Sequence, residues 1–181
     1  MNLMEYFHKM KGGAKSPPGV GIGEIAWSWL GAVIGIGICG LLSSNYFERH
    51  DATMLIGSFG ASAVLIYGAI KSPLAQPRNL VGGHIISGFV GVASYQLFGD
   101  TIWIASAFAV SFAIVAMLAT KTLHPPGGAT ALIGVIGGPK IHHLGYWYAF
   151  IPAGLGAIIL LIVALLVNNA SQHRRYPEYW V

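Results

Sequence analysis

Leu123-His124-Pro125-Pro126-Gly127-Gly128-Ala129-Thr130-Ala131-Leu132 opens an apolar segment, 127–137, of only 11 residues. A helix of that length reaches about 17 Å at 1.5 Å per residue, too short for a hydrocarbon core of about 30 Å. The two prolines force extended backbone on the residues before them and then admit a helix. Either the extended stretch completes a membrane crossing, or the chain turns back. The fold depends on which.

Outward from this segment the chain reads as further apolar runs: 25–42, 53–70, 80–98, 101–120 and 148–167, each 18 to 20 residues long. The composition agrees, with 55% hydrophobic and only 9% charged residues and a mean hydropathy of +0.65. A soluble domain carries about 25% charged residues, and a disordered chain is polar and highly charged. What remains is an all-α integral membrane protein of about six helical segments. Residues 1–24 form an N-terminal segment, 25–167 the transmembrane domain, and 168–181 a C-terminal tail. The first 24 residues lack the compact apolar stretch and cleavage site of a signal peptide, so the first run is expected to stay as an anchor.

Charge placement favours a crossing at 127–137. With six passes, Lys9, Lys11, Lys15, Lys71, Arg78, Lys121, Arg174 and Arg175 share one side and Arg49 and Lys140 the other, eight against two. Turning the short segment back gives seven against three. The positive-inside rule then puts both termini in the cytoplasm. Net charge +4 reflects these flanks and anionic lipid, not nucleic acid. Trp27, Trp29, Trp103, Tyr146, Trp147, Tyr148, Tyr176, Tyr179 and Trp180 fall at segment ends and read as headgroup-level anchors.

Gly60-Ala61-Ser62-Ala63-Val64-Leu65 matches Gly128-Ala129-Thr130-Ala131-Leu132-Ile133 at an offset of 68. Each lies in the second segment of a group of three, so the chain reads as two inverted three-segment repeats, a plan common in secondary transporters. Gly127 and Gly128 leave backbone N–H groups bare at the start of the short half-helix. Unpaired donors and the positive dipole end suit a small anion there. The candidate binding residues are His124, Pro125, Pro126, Gly127, Gly128, Ala129 and Thr130, with Ser58, Gly60, Ala61 and Ser62 lining the opposed half. Lys121, Arg78, Asn79 and His84 are candidate pathway residues. Gln76, Arg78 and Asn79 read first as helix capping and a positive-inside anchor.

His124-Pro125-Pro126 followed by Gly-Gly-Ala-Thr-Ala resembles the signature of the HPP family of integral membrane proteins. Gly57-Ser58-Phe59-Gly60-Ala61-Ser62-Ala63-Val64-Leu65 resembles the same family, as does Ser72-Pro73-Leu74-Ala75-Gln76-Pro77-Arg78-Asn79 with Gly82-Gly83-His84. Together they cover roughly residues 24–167. The resemblance implies a transporter; the family is described with four membrane helices, and its chloroplast members are associated with nitrite movement. A transporter or channel for a small inorganic anion in the inner membrane, nitrite foremost, is the expectation. A non-transporting scaffold or sensor module is the alternative.

Other chemistry is thin. Gly35-Ile36-Gly37-Ile38-Cys39-Gly40 sits inside an apolar run, where dinucleotide binding has no context; Gly31 and Gly35 read as close-approach positions. His142 and His143 read as a solvated loop and not a metal site. Cys39 is the single cysteine. Glu24, Glu48, Asp51 and Asp100 all lie at segment ends, so any proton coupling would have to use His124 or His84. No enzyme, cofactor or metal is expected. A homo-oligomer in the bilayer is.

Overall fold

The computed structural model describes residues 2–48 and 54–181, and no strand occurs among them. A short exposed helix, α1 (Leu3–His8), is closed by a reciprocal cap between Asn2 and Glu5. The membrane region begins with α2 (Ile22–Leu42), which continues through a wide turn, Ser43–Phe47. Then come α3 (Ser58–Ala63), widened at its end over Val64–Gly68, and α4 (Pro77–Phe98). The second half holds α5 (Ile102–Ala119), α6 (Pro125–Ile136), a small α7 (Pro139–Leu144) and α8 (Leu155–Ala170).

Among the described residues four stretches are long and apolar enough to cross a membrane: Ile22–Phe47, Pro77–Phe98, Ile102–Ala119 and Pro139–Ala170. The last is broken at Gly145 (φ 51) and at Ile151, which is extended (φ −134, ψ 116). The other two apolar helices are short, Ser58–Gly68 and Pro125–Ile136. The second segment was expected as a full-length crossing over 53–70; it is instead a half-helix like the sixth-numbered α6. Its end has a local cause, since Ala69 leaves the helical region (φ −130, ψ 50). Hydropathy alone cannot separate the apolar but non-helical 54–56 from the helix that follows. Residues 49–53, with Arg49, Asp51 and the start of that segment, lie outside the described residues.

Contacts fix the direction of each half-helix. Ser28 near the start of α2 donates to Tyr67 O at the end of α3 (2.7 Å), and Glu24 pairs with Arg174 after α8 (2.8 Å). Arg78 at the start of α4 donates to Thr120 O after α5. These ends therefore share one face. The end of α4 lies at the other, where Tyr95 stacks on His142 with ring centroids 3.6 Å apart. Thus α3, entered through 54–57, and α6, entered through 120–124, each run from one face to the other. The architecture is long–half–long repeated twice, with both ends of the membrane region on one face. The chain spans the membrane.

Small residues let the helices close. A Cβ on Gly91 of α4 would sit 2.8 Å from Ala131 Cα of α6, and one on Gly134 of α6 would sit 3.2 Å from Gly91 Cα. Gly31 and Gly35 of α2 accept the Tyr67 ring, as close-approach positions should, whereas Gly37 faces open space.

Two aromatic expectations are corrected. Tyr148 and Tyr176 are buried and donate to Thr130 O (2.9 Å) and Ala75 O (2.7 Å), so each is a packing residue with a satisfied hydroxyl and not a headgroup anchor. Trp29, Trp103, Trp147 and Trp180 are exposed, as anchors should be. His142 is no solvated loop residue either: besides the Tyr95 stack, its Nε2–H donates to Val135 O.

Candidate functional site

The two half-helices lie side by side in opposite directions, overlapping over their first turns. Ser58 opens α3 and Ser62 follows one turn on; His124 caps α6 and Thr130 follows within two turns. Thr130 Oγ1 meets Ser58 Oγ (2.9 Å), while Ser62 Oγ meets His124 Nε2 (2.9 Å). Ser62 and Thr130 are the residues the repeat pairs at an offset of 68. Between them stands His84 of α4, its Nε2 2.7 Å from Ser62 Oγ and its Nδ1 2.7 Å from Thr130 Oγ1. All five side chains are fully buried.

Local sequence explains the placement. Pro125 and Pro126 occupy the first helical positions of α6, where a missing N–H costs nothing, and leave His124 extended (φ −142, ψ 105). That turns the imidazole back toward α3. Its Nδ1 lies 2.8 Å from Leu74 O, on the short turn Pro73–Ala75 between α3 and α4. Because a carbonyl only accepts, Nδ1 carries the hydrogen. Phe59 of α3 packs edge-on to His84 (5.5 Å), closing the cluster from the apolar side.

The remaining candidates are dispersed around the cluster. Gly127 packs: a Cβ there would lie 2.7 Å from Ser87 Oγ and 2.8 Å from Met117 Sδ. Pro126 is buried beside the cluster, and its carbonyl lies 3.3 Å from Thr130 Oγ1. Pro125, Gly128 and Ala129 instead line a 530 Å³ apolar groove against Val110 and Ile114 of α5. Gly60 and Ala61 are exposed on the outer face of α3 and do not border the cluster. Arg78 and Asn79 instead clamp the extended entry to α6 through Thr120 O (3.0 Å) and Leu123 O (2.9 Å), while Gln76 makes no side-chain cap at the start of α4. Lys121 is exposed on the same face with φ 56.

Sequence reasoning missed the seal over this face. Arg174 is buried and donates to Glu24 Oε2 and O, Ser28 Oγ, Asn168 Oδ1 and Tyr67 O. A guanidinium at the carboxyl end of α3 also suits the helix dipole. Beyond it the tail straps the 72–76 turn. Tyr176 bonds Ala75 O, Glu178 N–H bonds Gln76 Oε1, and Tyr179 bonds Pro73 O. A basic tail residue reads as a topology signal in sequence, and nothing local marks it as buried.

The fold and site define an all-helical membrane protein whose two inverted half-helices meet at a buried histidine–hydroxyl cluster. The chain matches the model of the HPP transmembrane region over residues 17–177, and it belongs to the HPP family. It is similar to two transmembrane proteins of Dictyostelium discoideum. One is 49% identical over 98% of this chain and 58% of its own length. The other is 46% identical over 99% of this chain and 65% of its own. The chain therefore spans about three-fifths of the relatives it matches. No solved structure matches it.

Proposed function

We propose that the protein transports a small inorganic anion, nitrite foremost, through the cluster where α3 and α6 overlap. One observation carries this: two helix amino-terminal turns, directed from opposite faces, converge on buried, uncharged donors. Each helix start contributes positive partial charge, and the hydroxyls and imidazole N–H groups add donors. A monovalent anion is thereby stabilised without a permanent buried cation, which would cost several kcal/mol to insert. Neither imidazole bonds a carboxylate among the described residues, which supports transport over catalysis. In this reading the face carrying Lys71, Arg78, Lys121 and Arg175 is cytoplasmic, in an inner membrane. A second copy covers the exposed side of α3.

Uptake of nitrite into liposomes holding the purified full chain tests the proposal. Uptake should exceed that of protein-free vesicles. Thr130→Val, which removes the hydroxyl between His84 and Ser58, should lower it about tenfold, as expected for a lost bond of about 1.5 kcal/mol to a charged group. Wild-type uptake no faster than empty vesicles would sink the reading and favour a scaffold or sensor module. Full activity in folded Thr130→Val would move the site elsewhere.

A further inference from the structure

The shortest hydrogen bonds of the cluster run in one line through Thr130, His84, Ser62 and His124, and its ends are chemically unequal. Leu74 O fixes the hydrogen of His124 on Nδ1, so in neutral His124 the Nε2 accepts. Ser62 must then donate to it, which leaves Ser62 Oγ to accept from His84 Nε2–H. His84 Nδ1 accepts in turn from Thr130; giving that hydrogen instead to Ser58 Oγ, the acceptor 2.9 Å away, would strand His84 Nδ1. Every donor from Thr130 onward points the same way, toward Leu74. Ser62 and Thr130 also lie over Ser58 O (3.2 Å) and Pro126 O (3.3 Å), but these are their longest contacts. Giving either hydrogen to those carbonyls would strand a buried imidazole nitrogen. Among the described residues no buried side-chain nitrogen or oxygen lacks a partner.

Resting on the transporter reading, we propose that Thr130–His84–Ser62–His124 is a proton relay, and that the anion crosses together with one proton. A proton from water reaching Thr130 Oγ1 displaces the Thr130 hydrogen to His84 Nδ1. The His84 Nε2 hydrogen passes to Ser62, and the Ser62 hydrogen to His124 Nε2. The single product is an imidazolium at His124, with every other group neutral and all donors reversed. Loss of the Nδ1 proton to water discharges it, and hydroxyl and ring reorientation restores the first polarity. One proton enters, one leaves, and no electron moves.

The relay steps along α3 by one turn. Ser58 and Thr130 are level on the far side, Ser62 and His124 one turn nearer the face that carries Leu74. Groups facing the two imidazoles come from α3 (Ser58, Ser62, Phe59), α6 (Thr130) and the 72–76 turn (Leu74 O), with Tyr148 one bond behind at Thr130 O. None is a carboxylate or a cation. Both ends are covered in this structure: Thr130 is buried, and the half-buried Leu74 turn is strapped by Tyr176 and Tyr179. Water must displace Leu74 O before His124 can discharge.

The test uses the full chain in liposomes, with nitrite uptake corrected for protein-free vesicles. A membrane potential is set by potassium and valinomycin, independently of the pH gradient. Electroneutral cotransport predicts that one pH unit, acid outside, raises initial uptake by up to about tenfold, the driving force of a tenfold proton ratio. A potential positive inside leaves it unchanged. Ser62→Ala interrupts the chain between the two histidines, so whatever nitrite flux remains loses its response to the pH gradient; Ser62→Thr restores it. Nitrite uptake driven by potential and indifferent to pH would overturn the relay while leaving the transporter standing. So would a wild-type pH response in folded Ser62→Ala. Absence of any protein-dependent nitrite uptake would instead remove the transporter reading beneath it.

Discussion

The two half-helices occupy equivalent places in the repeats, yet they are held differently. Helix α6 is wedged between α4 and α5, with Gly127, Ala131 and Gly134 pressed against neighbours on its inner side. Helix α3 leaves Gly57, Gly60, Ala61, Val64 and Gly68 exposed, and is held at its end by Ser28 and Arg174 on Tyr67 O. The inward positions agree, Ser62 matching Thr130 and Ala63 matching Ala131, all buried. The repeat thus preserves what faces the cluster and lets the outer packing diverge. One half-helix is enclosed between two long helices, while the other is buried on its inner side, exposed along its outer side and clamped at its end.

Substitutions can break this contrast, and the largest effect should come from the wedge. Gly91→Val forces a branched side chain against the Ala131 backbone, which cannot yield as a flexible side chain would. We expect destabilisation of about 3 kcal/mol or more, read as lost monodispersity in detergent and a lower thermal midpoint. A normal midpoint would mean α4 and α6 are not this close.

Next comes the end-clamp of α3. Arg174→Met strands Asn168 Oδ1 and takes a donor from Tyr67 O and from the part-exposed Glu24, costing about 1–3 kcal/mol. It should free the tail, so that trypsin cuts at the exposed Arg175 faster than in wild type. An unchanged cleavage rate would show that the tail is not anchored through Arg174.

The strap gives a smaller, pH-dependent effect. Burial pushes the Tyr176 phenol up from its ordinary value near 10. An unfolded or released phenol ionises first as pH rises, so this contribution is complete below pH 10 and falls away above it. Tail protection from trypsin should fall above about pH 10 in wild type. In Tyr176→Phe the fall should be weaker; an equal fall would assign the alkaline loss to another group.

Smallest of all are Gly60→Ala and Gly128→Ala. A Cβ at Gly60 meets nothing within 4 Å, and one at Gly128 meets only Val110 Cγ1 at 3.9 Å. Both should fold and stay within about 0.5 kcal/mol of wild type. Measurable loss at Gly60 alone would show its face covered by another chain.

How much of this was legible before the structure follows from the kind of signal. The class, the long helices and the shortness of α6 follow from hydropathy and from Pro125-Pro126. The repeat was visible through Gly60–Leu65; four of the five cluster residues were candidate binding residues, and the fifth, His84, stood among the pathway residues. Shortness of α3 was hidden because Met54, Leu55 and Ile56 are apolar without being helical. Which side of a half-helix faces inward was hidden too: Gly60, Ala61 and Gly128 share motifs with Ser62 and Thr130 but lie on other faces. The Leu74 carbonyl could not be read at all, because every residue has one and only tertiary contact selects it.

The central claim is that each half-helix, with its non-helical entry, completes a crossing from an opposite face. Single cysteines at Glu48 and Lys71 bracket α3, and those at Lys121 and Lys140 bracket α6. Introduced in a Cys39→Ala background, they are labelled in intact cells with a membrane-impermeant maleimide. The account predicts that 48 and 140 label from one side and 71 and 121 from the other. Labelling of 121 and 140 from the same side, or of 48 and 71 from the same side, would make that half-helix a re-entrant hairpin and contradict it.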